Sequence, residues 1–109
     1  MDERVLDERL RALAHPVRRR LIAACIAEAR PAGTLVELTG LAAASVSEHL
    51  KVLRKTGLLV LESRGRFRLY SADLAVVCET AAALEAWLDD ATAEDAQRVT
   101  GHGGREEHP

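Results

Sequence analysis

Between residues 45 and 55 the chain sets Ser45, Ser47, Glu48, His49, Lys51, Arg54 and Lys55 around three apolar positions, Val46, Leu50 and Leu53. The apolar residues recur at i, i+4 and i+7, the spacing of one helix face, so the polar set is left to the other faces. Short hydroxyls followed by His, Lys and Arg suit a helix laid in a DNA major groove, where small polar groups reach base edges and long cations reach phosphates. Gly57 supplies the stop, because glycine readily takes the left-handed conformation that closes a helix. Any surface helix also carries a solvated charged face, so the stretch needs its flanks to be read.

Upstream, Gly33–Thr39 predicts a short helical segment with Leu35 and Leu38 apolar, and Gly40-Leu41 predicts a tight turn. A short helix, a turn containing glycine and a polar-faced helix form the helix-turn-helix pattern. Downstream, Leu58–Ser63 and Arg66–Ser71 read as two short strands around Arg64-Gly65, a hairpin. Arg64, Arg66 and Arg68 alternate with Gly65, Phe67 and Leu69, so a period of two sets all three guanidiniums on one face. Such a hairpin is a basic wing for phosphates or a narrow minor groove. Charge on a hairpin also protects an edge from aggregation. The order helix, turn, helix, basic hairpin points instead to double-stranded DNA as the partner.

Three motifs carry a resemblance. Leu13-Ala14-His15-Pro16-Val17-Arg18, then Ser45 to Leu58, then Gly65-Arg66 leading to Tyr70 resemble the ArsR/SmtB family of bacterial repressors. The resemblance covers roughly residues 6 to 90. It implies a mainly α fold with a small β-hairpin wing, a winged helix-turn-helix, and a homodimer that leaves a palindromic operator when an effector binds. One departure is Ala42, which stands where the family usually has a capping Ser; a lost cap costs ~1 kcal/mol.

Charge distribution agrees with a DNA partner. The formal net charge of the 109 residues is −2, yet residues 14–70 carry +6 while residues 71–109 carry −7. The positive charge coincides with the segment assigned to DNA. One domain with one core is expected at this length, and so small a domain gains from burying surface in a dimer. No apolar run is long enough to span a membrane and Met1 to Arg11 has no signal-peptide pattern, so a cytoplasmic location is expected. No nucleophile–base pairing, phosphate-cradling glycine loop or catalytic metal spacing is seen, which argues against an enzyme. The rival is a winged helix that mediates protein–protein interaction.

The remaining helices follow from periodicity. Asp2–Ala14 carries Leu6, Leu10 and Leu13 on one stripe, and Pro16 opens a second helix running to about Arg30, with Val17, Leu21 and Cys25 facing the core. The last helix is expected from a Ser71 cap to about Ala91. Its Leu74, Val77, Ala81, Leu84 and Leu88 follow a spacing of three and four, a seam suited to pairing with a second copy, helped by Leu6 and Leu10 of the first helix. The expected organisation is a DNA-binding and dimerisation domain over 1–95 and a disordered tail over 96–109.

The resemblance frames the effector. One metal site of the family uses a Cys-x-Cys pair before the helix-turn-helix; Pro31 and Gly33 stand there. Another runs along the last helix; its acidic ends are kept as Asp73 and Asp89, but its histidine positions are Ala75 and Ala86. A metal effector would therefore be nickel, cobalt or zinc, held by nitrogen and oxygen from among His15, Asp73, Asp89, His102 and His108. Thiol oxidation or a small molecule is the alternative trigger. Cys25 and Cys78 both lie on apolar stretches and read as buried small hydrophobes.

Overall fold

The core follows from leucines spaced along short amphipathic helices, and the computed structural model describes residues 1–101 in these terms. Helices α1 (Glu3–Leu13), α2 (Pro16–Ala27), α3 (Ala32–Thr39) and α4 (Ala43–Lys55) precede strands β1 (Leu59–Arg64) and β2 (Phe67–Ala72), and α5 (Leu74–Gly101) closes the order. Leu21 and Cys25 from α2, Leu35 from α3, and Val46, Leu50 and Leu53 from α4 are buried together with Leu58 and Leu59. These are the stripes expected from periodicity, and burying each such side chain contributes roughly 1.5–3 kcal/mol.

Local chemistry sets most of the boundaries. Asp2 caps α1, its carboxylate accepting the Arg4 N–H at 2.7 Å. Pro16 opens α2, as its missing N–H requires. Gly40 and Gly57 take positive φ, 69° and 82°, where α3 and α4 end. The α4 N-cap, Ala42, makes no side-chain bond to the helix, so that end is left without a capping oxygen.

Three helix boundaries differ from expectation. Helix α2 ends at Ala27 and does not reach Arg30, because Pro31 disfavours helical backbone at the residue before it. Arg30 instead pairs with Tyr70 of β2 through two backbone bonds of 2.8 Å. Its Nε donates to the Ala24 carbonyl at 2.7 Å, serving one of the acceptors that α2 leaves open at its end. At α5, Ser71 lies in β2, paired with Val60, and Asp73 takes the capping role, its carboxylate accepting the Val76 N–H at 3.3 Å. The helix then passes its expected end near Ala91 and reaches Gly101. Residues 92–98 hold good helix formers and an Arg98–Asp95 pair at 3.2 Å, with no breaker before the glycine.

Helix α5 has two faces. One packs on the core through Val76 and Val77, with buried Thr80 satisfied by the Val76 carbonyl at 2.8 Å. The other is apolar and uncovered: Leu74, Leu84 and Leu88 are each about half exposed. Val77 therefore belongs to the core of its own protomer rather than to the expected seam. Cys78 is also exposed on α5, so the expectation of a buried thiol holds for Cys25 alone. Among the described residues no helix is long and apolar enough to cross a membrane.

Gly57 gives a test of this frame. At φ 82° a side chain is strained, and an added Cβ would lie 3.5 Å from the Arg9 guanidinium, an ordinary contact. Gly57→Ala should cost about 1–2 kcal/mol in denaturant unfolding. An unchanged midpoint would mean that the left-handed turn does not limit stability.

Candidate nucleic-acid interface

The outward face of α4 presents a short polar surface. Ser45, Ser47, Glu48, Lys51, Arg54 and Lys55 are all exposed, while Val46, Leu50 and Leu53 anchor the opposite face. Lys51 pairs with Glu48 at 3.3 Å, both side chains largely in solvent. An exposed pair of this kind contributes little, so a phosphate competes readily for the lysine.

His49 departs from the rest of the set. It is half-buried and turned to α2, where the Arg18 Nε–H donates to its Nδ1 at 3.1 Å. The His15 ring lies beside it, centroids 6.1 Å apart. Burial first, then the Arg18 and His15 charges, hold the His49 pKa below its usual 6.5. A neutral ring is what the bond needs, since only a deprotonated Nδ1 accepts. His49 thus braces α4 against α2 from behind the surface that a groove would meet. The residue that recruits it, Arg18, is no DNA or metal candidate from sequence; it closes the Leu13–Arg18 motif, three residues after the His15 N-cap position, and nothing in that spacing points to His49.

The wing is built differently from the expected one-faced comb. In the hairpin register Arg64 faces Phe67 and Arg68 faces Ser63. Cross-strand partners share a face and neighbours along a strand alternate, so Arg64 and Arg68 lie on opposite faces. Gly65 and Arg66 form the turn, with Gly65 at φ 63°. The alternation counted through the sequence fails there because the chain reverses. Arg64 is held by Glu62 at 3.0 Å, whereas Arg66 sits over the Phe67 ring at 6.0 Å. Phe67, 60 % exposed at the tip, is a further feature that strand periodicity alone did not single out.

The expected dimer residues gather at α5 and α1. Cys78, Ala81, Leu84, Trp87 and Leu88 line an apolar groove of about 610 Å³. Leu84 and Trp87 also meet Leu6 and Leu10 of α1 around a cavity of about 320 Å³. Cys25, in contrast, is enclosed in the core; burial raises its pKa against the opposing effect of Arg30, so the thiol stays protonated.

Within one protomer the described metal candidates stand apart. Asp73 caps α5, Asp89 lies sixteen residues further along the same helix, roughly 24 Å away, and His15 faces His49. Among the described residues no three His, Cys, Asp or Glu come together as a ligand set. His102 and His108 lie outside the described residues.

Comparison with known proteins fits this geometry. A helix-turn-helix domain family matches residues 13–62. The sequence matches no curated protein. Among solved structures, an ArsR-like transcriptional regulator from Rhodococcus sp. RHA1 superposes with a TM-score of 0.76 at 24 % identity, over 89 % of this chain and 94 % of that one. NolR from Sinorhizobium fredii aligns with a TM-score of 0.64 at 24 % identity, over 78 % and 86 %. The cadmium metal-sensor CMTR from Mycobacterium tuberculosis is 36 % identical, with a TM-score of 0.55, over 61 % of this chain and 69 % of that one. With the winged helix-turn-helix order and these relatives, the chain belongs to the ArsR/SmtB family of DNA-binding transcriptional regulators.

Proposed function

We propose that the protein is a homodimeric regulator that binds a palindromic operator, with α4 in the major groove and the hairpin on the flanking backbone. The observation that carries this reading is the exposed α4 face, Ser45, Ser47, Lys51, Arg54 and Lys55, set beside a hairpin whose three arginines are also exposed. Ser45 and Ser47 approach base edges, Glu48 accepts from a cytosine amino group or turns away mis-docked phosphate, and the cations take phosphates. His49 acts from behind, fixing the helix. A gel shift with the DNA upstream of the gene tests the reading directly: retention resistant to excess random DNA supports it, and equal loss to both removes operator recognition.

The second copy covers the apolar strip of α5. Leu74, Ala81, Leu84 and Leu88 run along one side of the helix, continued by Leu6 and Leu10 of α1, and a strip of this kind is stabilised by leaving water. The described candidates for a nickel, cobalt or zinc site stand apart within the protomer, so the proposal carries no metal.

Leu88→Asp should convert the dimer to a folded monomer in sedimentation, because two carboxylates would meet near the two-fold axis without partners. A dimer of unchanged affinity would place the interface elsewhere. For the wing, Arg66→Ala and Arg68→Ala should each weaken specific and random DNA alike and reduce the salt slope by roughly 0.9. Arg64→Ala should have less effect, because Arg64 lies on the hairpin face opposite Arg68. An unchanged slope would take the wing off the backbone.

His49 predicts a pH dependence. Its folded pKa is depressed, so the folded chain binds fewer protons than the unfolded one near this group. The contribution is intact above about 6.5 and is lost as pH falls through the lower folded value. The His49 ring should titrate below about 6.5 by NMR, and His49→Gln should flatten the acid-side loss of stability. A midpoint at or above that value would show that Arg18 does not hold the neutral ring.

A further inference from the structure

Along the flank of the recognition helix, α1, α2 and the last turn of α4 border a cleft of about 240 Å³ that reaches Lys55 at the edge of the DNA-facing surface. Three cations line it, each from a different element: Arg11 from α1, Arg18 from α2 and Lys55 from α4. The sole acid in the lining is Glu8, and Ala12 and Val52 give it an apolar floor. Among the described residues neither the Arg11 nor the Lys55 side chain has a hydrogen bond or ion pair, and Glu8 pairs with neither. Arg18 is half-buried and uses only its Nε–H, on His49. Four Nη–H donors of that guanidinium are left, in the planar fork that matches an oxyanion.

From this cleft we propose that the protein binds a compact oxyanion of at least two charges, such as phosphate or a short dicarboxylate. Three cations against one carboxylate leave an excess of about two positive charges, which repel one another at close range unless an anion intervenes. A cleft of about 240 Å³ has room for a tetrahedral or four-carbon anion. Binding would use the Arg18 fork, with Arg11 and Lys55 as flanking charges. The His49 bond keeps the Arg18 side chain in place and leaves its outer edge free. The cleft also stays open in the proposed dimer, because Glu8 and Arg11 lie on the side of α1 away from Leu6 and Leu10.

The test uses the full chain without DNA. Thermal unfolding is followed while phosphate or succinate is titrated in, with chloride at matched ionic strength as reference. A ligand bound only by the folded state raises the transition in a saturable way. Phosphate or succinate should give such a shift and chloride should not. Arg18→Gln and Arg11→Gln should raise the half-saturating concentration at least tenfold, and Glu8→Gln should lower it. Arg11 and Glu8 are exposed, so their variants retain the fold even where Arg18→Gln disturbs α4. A shift equal to that of chloride, or one unaffected by Arg11→Gln and Glu8→Gln, overturns the proposal. So does a set of variants that weaken duplex binding with a lower salt slope while the free anions never saturate, since the cleft would then hold a backbone phosphate of DNA.

Discussion

One guanidinium ties together the parts that a recognition helix needs fixed. Arg9 of α1 donates its Nε–H to the Thr56 carbonyl at 3.0 Å, where α4 ends, and its Nη1 meets Glu79 of α5 at 3.2 Å. The arginine side chain is only 16 % exposed, although Glu79 is mostly in solvent. The ion pair alone therefore contributes modestly, and the weight falls on the bond to Thr56, an acceptor that the helix end would otherwise leave open. The same guanidinium approaches Gly57, whose left-handed backbone turns the chain from α4 into β1. The end of α4, the turn at Gly57 and α5 are thus tied to α1 at one point.

A second brace lies further along α4. Arg18 and His49 join α2 to the middle of the helix, while the N-terminal cap is missing at Ala42. The start of α4 is then held by burial of Val46 and by the backbone bond from Val46 to the Ala42 carbonyl at 3.1 Å. A helix end lacking its cap is less stable by ~1 kcal/mol and yields more easily to an external partner. That end carries Ser45 and Ser47, so the less restrained turn is the one assigned to base edges, and the braced turns are those assigned to phosphates.

Much of this was legible in the sequence because it rests on local rules. The stripe of Val46, Leu50 and Leu53, the stop at Gly57, the opening at Pro16 and the hairpin are each set by neighbours a few residues apart. The errors came where a local rule met a distant partner or a change of direction. Counting alternation through Arg64, Gly65 and Arg66 ignored the reversal at the turn, which puts Arg64 and Arg68 on opposite faces. Arg30 looked helical until Tyr70, forty residues on, claimed its backbone. Val77 fitted the spacing of the exposed seam, but α5 is apolar on two sides, and spacing alone does not tell which side meets its own core. His49 sat among residues suited to DNA, and only the approach of Arg18 from another helix assigns it inward.

Charge adds a constraint that packing does not. The acidic excess of residues 71–109 sits on and beyond α5, while the basic excess of 14–70 sits on the helix-turn-helix and wing. Were the two mixed, the acids would screen the cations within a Debye length of about 8–10 Å and weaken attraction to phosphate. Separation along the chain lets α5 carry acids on its solvent side and an apolar strip on another without cost to the DNA face. A protomer docked with α5 toward the duplex would bring its acids against phosphates, so the charge distribution disfavours that orientation. The proposed orientation on DNA is thus favoured by the distribution of charge as well as by the shape of the winged helix.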